Sequence, residues 1–113
     1  MNTDERQFLL TAVWMFMRHR QPARARALCE ALVEEDPRDG VAAVALAELL
    51  LDEAEAARAI EILRAADFSA NLLHAEAVLE TRALRLLGRN GEASARWQRY
   101  LEARKGASRL WVS

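Results

Sequence analysis

Few side chains in this chain have the chemistry of a catalytic or metal-binding site. The sequence contains two histidines, His19 and His74, and a single cysteine, Cys29. The histidines lie far apart, and no second cysteine is present to complete a zinc-binding set. The chain also lacks the glycine loops, paired-histidine motifs and nucleophile elbows that bind phosphates or metals or attack acyl groups. We therefore expect no enzymatic activity, no cofactor and no metal ion.

Acidic residues are concentrated in the middle of the chain, although the formal net charge of the whole is only −1. Residues 34–67 contain ten acidic residues and three arginines, so this segment carries a charge of −7. A nearly neutral chain offers no general electrostatic attraction for nucleic acid, and we expect no such partner. The acidic segment is either ordinary solvated surface or a patch that attracts a basic partner segment.

The composition indicates that helices position these side chains. Alanine and leucine account for 40 of the 113 residues, whereas valine, isoleucine and threonine together number 11. This balance favours an all-α fold, and the length fits one domain. The longest apolar stretches are shorter than the roughly 20 residues of a membrane-spanning helix, so we expect no insertion into a membrane. The opening segment MNTDERQFLL does not resemble a signal peptide, which favours a cytoplasmic location.

An alanine followed four residues later by a larger side chain recurs every 34 residues. This is the period of tetratricopeptide repeats, in which each unit is a pair of antiparallel helices with a small residue at their closest contact. The pattern predicts a tetratricopeptide-like α-solenoid of three helical hairpins. The predicted contact residues are Ala25 and Cys29, Ala59 and Leu63, and Ala93 and Trp97. The alternative is an irregular six-helix bundle in which the period is accidental.

The repeat pattern places a single domain over residues 1–104, with repeats near 6–37, 40–71 and 74–104. Predicted helices lie near residues 4–19, 22–35, 40–53, 55–66, 70–87 and 90–104. Gly106 is predicted to end the last helix and to leave residues 105–113 as a C-terminal tail. Leu110 and Trp111 in this tail would either cap the end of the solenoid or contact a partner.

In arrays of this kind the first helix of each pair lines a concave groove. The repeat alignment predicts a largely apolar groove formed by Leu10, Trp14, Met17, Val44, Glu48, Leu51, Val78, Arg82 and Arg85. Such a groove suits an amphipathic segment of another protein, with Trp14 as the main anchor. The alternative is that the N-terminal segment or the tail covers Trp14 and Met17.

The chain resembles the small tetratricopeptide chaperones of bacterial type III secretion, and among them the YscY-like (SctY) family. The resemblance lies in Phe8-Leu9-Leu10 and Trp14, in the segment from Arg24-Ala25 to Ala31-Leu32, and in Trp97-Gln98-Arg99-Tyr100-Leu101-Glu102. It extends over nearly the whole chain.

The resemblance implies a bacterial cytoplasmic chaperone or co-chaperone that forms a heterodimer with a small early export substrate, the YscX-like protein. It further implies delivery of this substrate to the export-gate protein at the inner membrane, where the chaperone would be peripheral to the secretion apparatus. Two alternatives stay open at this stage. One is a co-chaperone of the needle subunit, and the other is a self-associating scaffold without a client.

Overall fold

A computed structural model describes the backbone of residues 1–112 and the side chains of residues 1–107. The described chain is all-helical, with six α-helices and one short 3₁₀ turn at Ala70–Leu72. The helices are α1 (Thr3–Arg18), α2 (Pro22–Glu35), α3 (Gly40–Asp52), α4 (Ala56–Ala65), α5 (Leu73–Leu86) and α6 (Asn90–Val112). The predicted all-α fold of helical hairpins is confirmed, and the first four helices lie within one or two residues of their predicted bounds.

The turns inside the three hairpins repeat the same backbone geometry at intervals of 34 residues. Arg20, Ala54 and Gly88 all have positive φ, at 56°, 61° and 75°. The next residue in each turn donates its N–H to a carbonyl five positions earlier, with N···O distances of 2.8, 2.8 and 2.9 Å. This is the Schellman ending of a helix, which usually has glycine at the left-handed position. The 34-residue period in the sequence is therefore a period in the backbone, even where Arg20 and Ala54 replace glycine.

The three hairpins stack in chain order. The two helices of each hairpin pack together, and successive hairpins meet through α2 against α3 and through α4 against α5. The first helices of the second and third hairpins, α3 and α5, also contact each other. The largest fully buried side chains come from all three hairpins, and they are Leu32, Leu46, Leu50, Leu63, Leu84, Val13 and Cys29.

The last helix is longer than the sequence analysis predicted. Gly106 lies inside α6, which continues to Val112, so the predicted break at Gly106 is wrong. A glycine inside a helix costs roughly 1 kcal/mol relative to alanine, which is not enough to end a helix whose neighbouring residues are good helix formers. The predicted docking of Leu110 and Trp111 concerns side chains that lie outside the described residues.

An ion pair between Arg6 and Asp39 ties the first helix to the start of the second hairpin. Both guanidinium contacts are short, at 2.6 and 2.9 Å, and the Asp39 side chain is nearly buried. Asp39 also caps α3, because its carboxylate accepts the backbone N–H of Ala42 at 3.2 Å. The hydrogen bonds from Arg6 lower the pKa of Asp39, although partial burial opposes this effect.

We expect this pair to make stability depend on pH in the acid range. A carboxylate whose pKa is lower in the folded than in the unfolded state stabilises the fold above its unfolded pKa of about 3.9, and this contribution is lost as the pH falls through the folded pKa. Asp39→Asn retains a capping side chain but removes the charge. The difference in unfolding free energy between wild type and Asp39→Asn should therefore shrink as the pH is lowered from about 5 to about 2.

Urea unfolding at several pH values measures this difference. Glu61→Gln is the control for replacing a carboxylate by an amide, and its difference from wild type should be small because Glu61 is exposed on α4. A pH-independent difference for Asp39→Asn would show that the ion pair does not contribute to stability.

Candidate partner-binding surface

Two residues of the predicted apolar groove are not accessible. Leu10 is only 6% exposed and Leu51 only 3% exposed. Both belong to the core, and α3 in particular is packed by α2, α4 and α5. The prediction that Leu10 and Leu51 form an exposed apolar wall is therefore wrong. Met17 and Val44 are half-buried against the same core, and they contribute only part of their surface.

The exposed groove residues are chemically mixed. Trp14, Glu48 and Arg82 occupy the same position in the three consecutive units, and all three are exposed. Trp14 is 54% exposed, which is high for a tryptophan in a small domain. The equivalent positions thus present an aromatic ring, a carboxylate and a guanidinium along the first helices, so the surface is amphipathic rather than uniformly apolar.

An ion pair connects the second and third units on this surface. Arg82 of α5 donates to the carboxylate of Asp52 at the end of α3, at 3.4 Å. Both side chains are about half exposed, so the pair stabilises the fold by no more than about 1 kcal/mol. Because the pair is accessible, its two charges are available to a partner that approaches either side chain.

A cavity of about 420 Å³ lies at the C-terminal end of the same surface. It is lined by Val78, Thr81, Arg82 and Arg85 of α5 and by Trp97 of α6. Three of the predicted groove residues, Val78, Arg82 and Arg85, are thus brought together around one opening. The lining combines an apolar floor with two guanidinium groups, which is suited to an apolar side chain that has a carboxylate close to it.

The repeat alignment did not single out Thr81, although it contributes to this cavity. Its hydroxyl is buried, and Oγ1 has no hydrogen-bond partner among the described residues. The equivalent positions in the first two units are Val13 and Ala47, both fully buried. A hydroxyl at a position that is apolar in the other two repeats is the sequence signal that could have identified it.

The residues predicted to form the close helix contacts differ in burial. Ala25, Cys29, Ala59, Leu63 and Ala93 are buried, and Trp97 is partly buried. Burial raises the pKa of the Cys29 thiol to about 12, so this thiol is protonated at neutral pH and is not a nucleophile. The cysteine therefore acts as a packing residue.

Trp97 also belongs to an aromatic cluster between α5 and α6. Its ring centroid lies 5.2 Å from that of Tyr100 and 6.2 Å from that of His74. Nδ1 of His74 lies 3.2 Å from the hydroxyl oxygen of Tyr100, within hydrogen-bonding distance. These contacts fix the indole that lines the cavity. Among the described residues no group of three or more histidine, cysteine, aspartate or glutamate side chains could hold a metal ion.

A second feature that the sequence analysis missed is an ionic network centred on Arg96 of α6. The guanidinium of Arg96 contacts Glu76 at 2.5 Å and Glu80 at 3.1 Å, and Glu80 also accepts from Arg64 at 3.3 Å. Among the residues that the structure describes, Glu80 is the only charged one that is buried. The two arginines lie on α4 and α6, and the two carboxylates lie on α5 between them. The network therefore joins the second hairpin to the third.

Much of the acidic middle segment is paired with arginine. Arg6 contacts Asp39, Arg82 contacts Asp52, and Arg38 contacts Asp67. Arg26 contacts both Glu53 and Glu55. These pairs reduce the negative potential that the local charge of −7 suggests. The segment is thus a weaker attractant for a basic partner than its composition indicates.

Two further findings do not depend on a single site. None of the helices in the described part of the chain is both long and apolar enough to cross a lipid bilayer. In comparisons with known proteins, no family model and no curated protein matches the sequence.

Proposed function

We propose that this chain is a non-enzymatic, tetratricopeptide-like binding module that holds a segment of another protein on the surface formed by its first helices. The observation that carries the proposal is the exposure of large apolar side chains there, Trp14 on α1 and Val78 at the C-terminal cavity. Fully burying a side chain of this size stabilises a complex by about 1.5–3 kcal/mol. A protein segment with two or more apolar anchors would therefore gain enough to bind.

The chemistry of the surface defines the segment that fits it. An amphipathic helix with apolar side chains at i, i+3 or i+4, and i+7 would place anchors against the exposed apolar residues. Arg82 and Arg85 favour a carboxylate beside the anchor that enters the cavity, since guanidinium groups bind carboxylates through paired hydrogen bonds. Glu48 favours a basic residue nearer the middle of the segment.

Within this class, we propose the role of a type III secretion chaperone or co-chaperone. It would be a bacterial cytoplasmic protein that binds a YscX-like export substrate and helps to deliver it to the export gate. This assignment is supported by the sequence resemblance around Phe8, Trp14 and Trp97 and by the stacking of three hairpins. A needle-subunit co-chaperone would use the same surface, and a self-associating scaffold would use none of it for a client.

Coexpression with a tagged YscX-like protein tests this proposal. We expect copurification, and we expect Trp14→Glu to lower the affinity at least 30-fold, because a buried tryptophan anchor contributes about 2 kcal/mol or more. Met15→Glu is the matched control, since Met15 is the next residue of α1 and is equally exposed, at 55%. Circular dichroism should show that both variants remain helical.

The outcomes separate the alternatives. Undiminished binding by Trp14→Glu would show that the first helices do not form the binding surface. Binding to a needle subunit, with no binding to the YscX-like protein, would favour the needle co-chaperone. Binding to the partner should also raise the melting temperature of the wild type by mass action, and it should raise that of Trp14→Glu much less.

A further inference from the structure

A second face of α1 is apolar and uncovered, and it is distinct from the surface that contains Trp14. Phe8 is 72% exposed and Met15 is 55% exposed. The equivalent residues of the second unit, 34 positions later on α3, are Ala42 and Leu49. Both are buried, because α3 packs on the preceding hairpin. In the described structure no helix takes the place of that preceding hairpin beside α1. Phe8 and Met15 therefore lie on a face that the repeat architecture buries in the next unit.

The residues of this face are arranged symmetrically along the helix. At 100° per residue, Asp4 and Glu5 lie on the same face as Phe8 and Met15, and so do Arg18 and His19. Acidic residues are at its N-terminal end and basic residues at its C-terminal end, while the small residues Thr11 and Ala12 are at its centre. Reversing the direction of the helix about the midpoint between Thr11 and Ala12 brings Phe8 opposite Met15. It also brings Asp4 opposite Arg18, because these two residues lie on the same edge of the face.

From this pattern we propose that the face binds a second copy of the chain, with the two α1 helices antiparallel around a two-fold axis between Thr11 and Ala12. Phe8 of each copy packs on the partner's Met15, and Asp4 faces the partner's Arg18. The small central residues allow the two helices to approach closely.

The charges favour this occupant over other arrangements. A two-fold interface requires a surface that is complementary to itself, and opposite charges at the two ends of one helix meet this requirement only in the antiparallel direction. A parallel pair would place Asp4 beside the partner's Asp4. A head-to-tail array would place Phe8 against α6, whose exposed side chains include the charged Arg99 and Glu102.

Sedimentation of the purified full chain tests the proposal. The wild type should approach twice the monomer mass of 12.7 kDa as its concentration rises, whereas Phe8→Asp should remain monomeric under the same conditions. Leu86→Asp is the matched control, because Leu86 is a large exposed apolar residue on α5, and this variant should dimerise like wild type. A wild type that stays monomeric throughout, or a dimer that Phe8→Asp leaves intact, would overturn the proposal.

Charge reversal tests the direction of the helices. Asp4→Arg and Arg18→Glu should each weaken the dimer, since each places like charges opposite one another at both ends of the interface. The double variant should regain most of the lost association. Equal weakening in the single and double variants would contradict the antiparallel arrangement.

Disulfide formation gives a second, independent readout. Thr11→Cys lies next to the proposed axis and should cross-link to the same residue of the partner under mild oxidation. Glu5→Cys lies about 10 Å along the helix from the axis, so it should not cross-link to itself. If both cysteine variants cross-linked, the two α1 helices would be parallel. If neither variant cross-linked, this interface would be excluded.

Background reaction in this experiment should be low, because the native Cys29 is fully buried. The dimer and the proposed client use different faces of α1. Trp14→Glu should therefore leave dimerisation intact, and Phe8→Asp should leave client binding intact, so that failure of one proposal does not imply failure of the other.

Discussion

Gly40→Ala should destabilise the protein by about 1–3 kcal/mol, even though the same substitution usually stabilises a helix. Gly40 is the first residue of α3 and is buried. A Cβ atom at this position would lie well inside 3.0 Å of the Asp67 carbonyl oxygen and 3.1 Å from Cδ1 of Phe68. Real Cβ atoms essentially never come so close to another atom, and a backbone carbonyl cannot move aside as a flexible side chain can. The substitution therefore requires the backbone to shift.

That backbone shift would affect two connections at once. The segment before α3 and the segment after α4 are joined by a hydrogen bond from the N–H of Asp67 to the carbonyl of Arg38, at 3.0 Å. Separating them would weaken the junction of the second hairpin with both of its neighbours. For a domain of this length we expect the melting temperature to fall by about 5–15 °C, measured by thermal unfolding.

Gly91→Ala provides the matched control for this prediction. Gly91 lies near the start of α6 and is exposed, and a Cβ atom at this position would have no neighbouring atom within 4 Å. Alanine there should be neutral or should raise the stability by up to about 1 kcal/mol. If both substitutions had the same effect, the close contact between Gly40 and Asp67 would not be important for stability.

The hairpin architecture could be predicted because it depends on a few periodic residues. Ala25, Ala59 and Ala93 are all fully buried, as small residues at a close helix contact must be. The left-handed turns at Arg20 and Ala54 follow the same period although neither residue favours that conformation. Packing of the two helices on either side determines the turn in these units, and the local preference of the residue is overridden.

The accessible surface was harder to predict than the fold. A repeat alignment identifies the face on which a residue lies, but it does not tell how closely the next helix approaches that face. Leu51 aligns with Met17 and Arg85, yet it is buried because α3 has neighbours on several sides. The end of α6 was misjudged for a related reason, since the sequence rule at Gly106 ignored the strong helix formers around it.

The ionic network at Arg96 shows the same limit for charged residues. Each of its ion pairs joins residues that are 16 to 20 positions apart in the sequence, and only the packing of α4, α5 and α6 brings them together. The 34-residue period does not identify the partners, although it aligns Glu80 with the fully buried Leu46 of the second unit. A carboxylate at a core position indicates that a compensating cation lies nearby.

Arg96→Met should destabilise the protein by about 3–5 kcal/mol, because it leaves buried carboxylates without their main cation. Methionine retains much of the length of the arginine side chain, so the change mostly removes charge and hydrogen bonds. Glu76 then loses its contact with Arg96, and Glu80 keeps only the longer contact to Arg64. Urea unfolding with a fixed m-value would measure the loss.

A variant that removes the whole network shows whether unpaired charge or lost packing causes the loss of stability in Arg96→Met. Replacing both carboxylates together with the cation, as Glu76→Leu, Glu80→Leu and Arg96→Met in one chain, should recover most of the stability lost in the single variant. Replacing a buried ion pair by apolar side chains of similar volume is often neutral or stabilising. Arg64 is half exposed and would remain hydrated after losing Glu80. If the triple variant were as unstable as Arg96→Met, the loss would arise from packing around α6 rather than from unpaired charge.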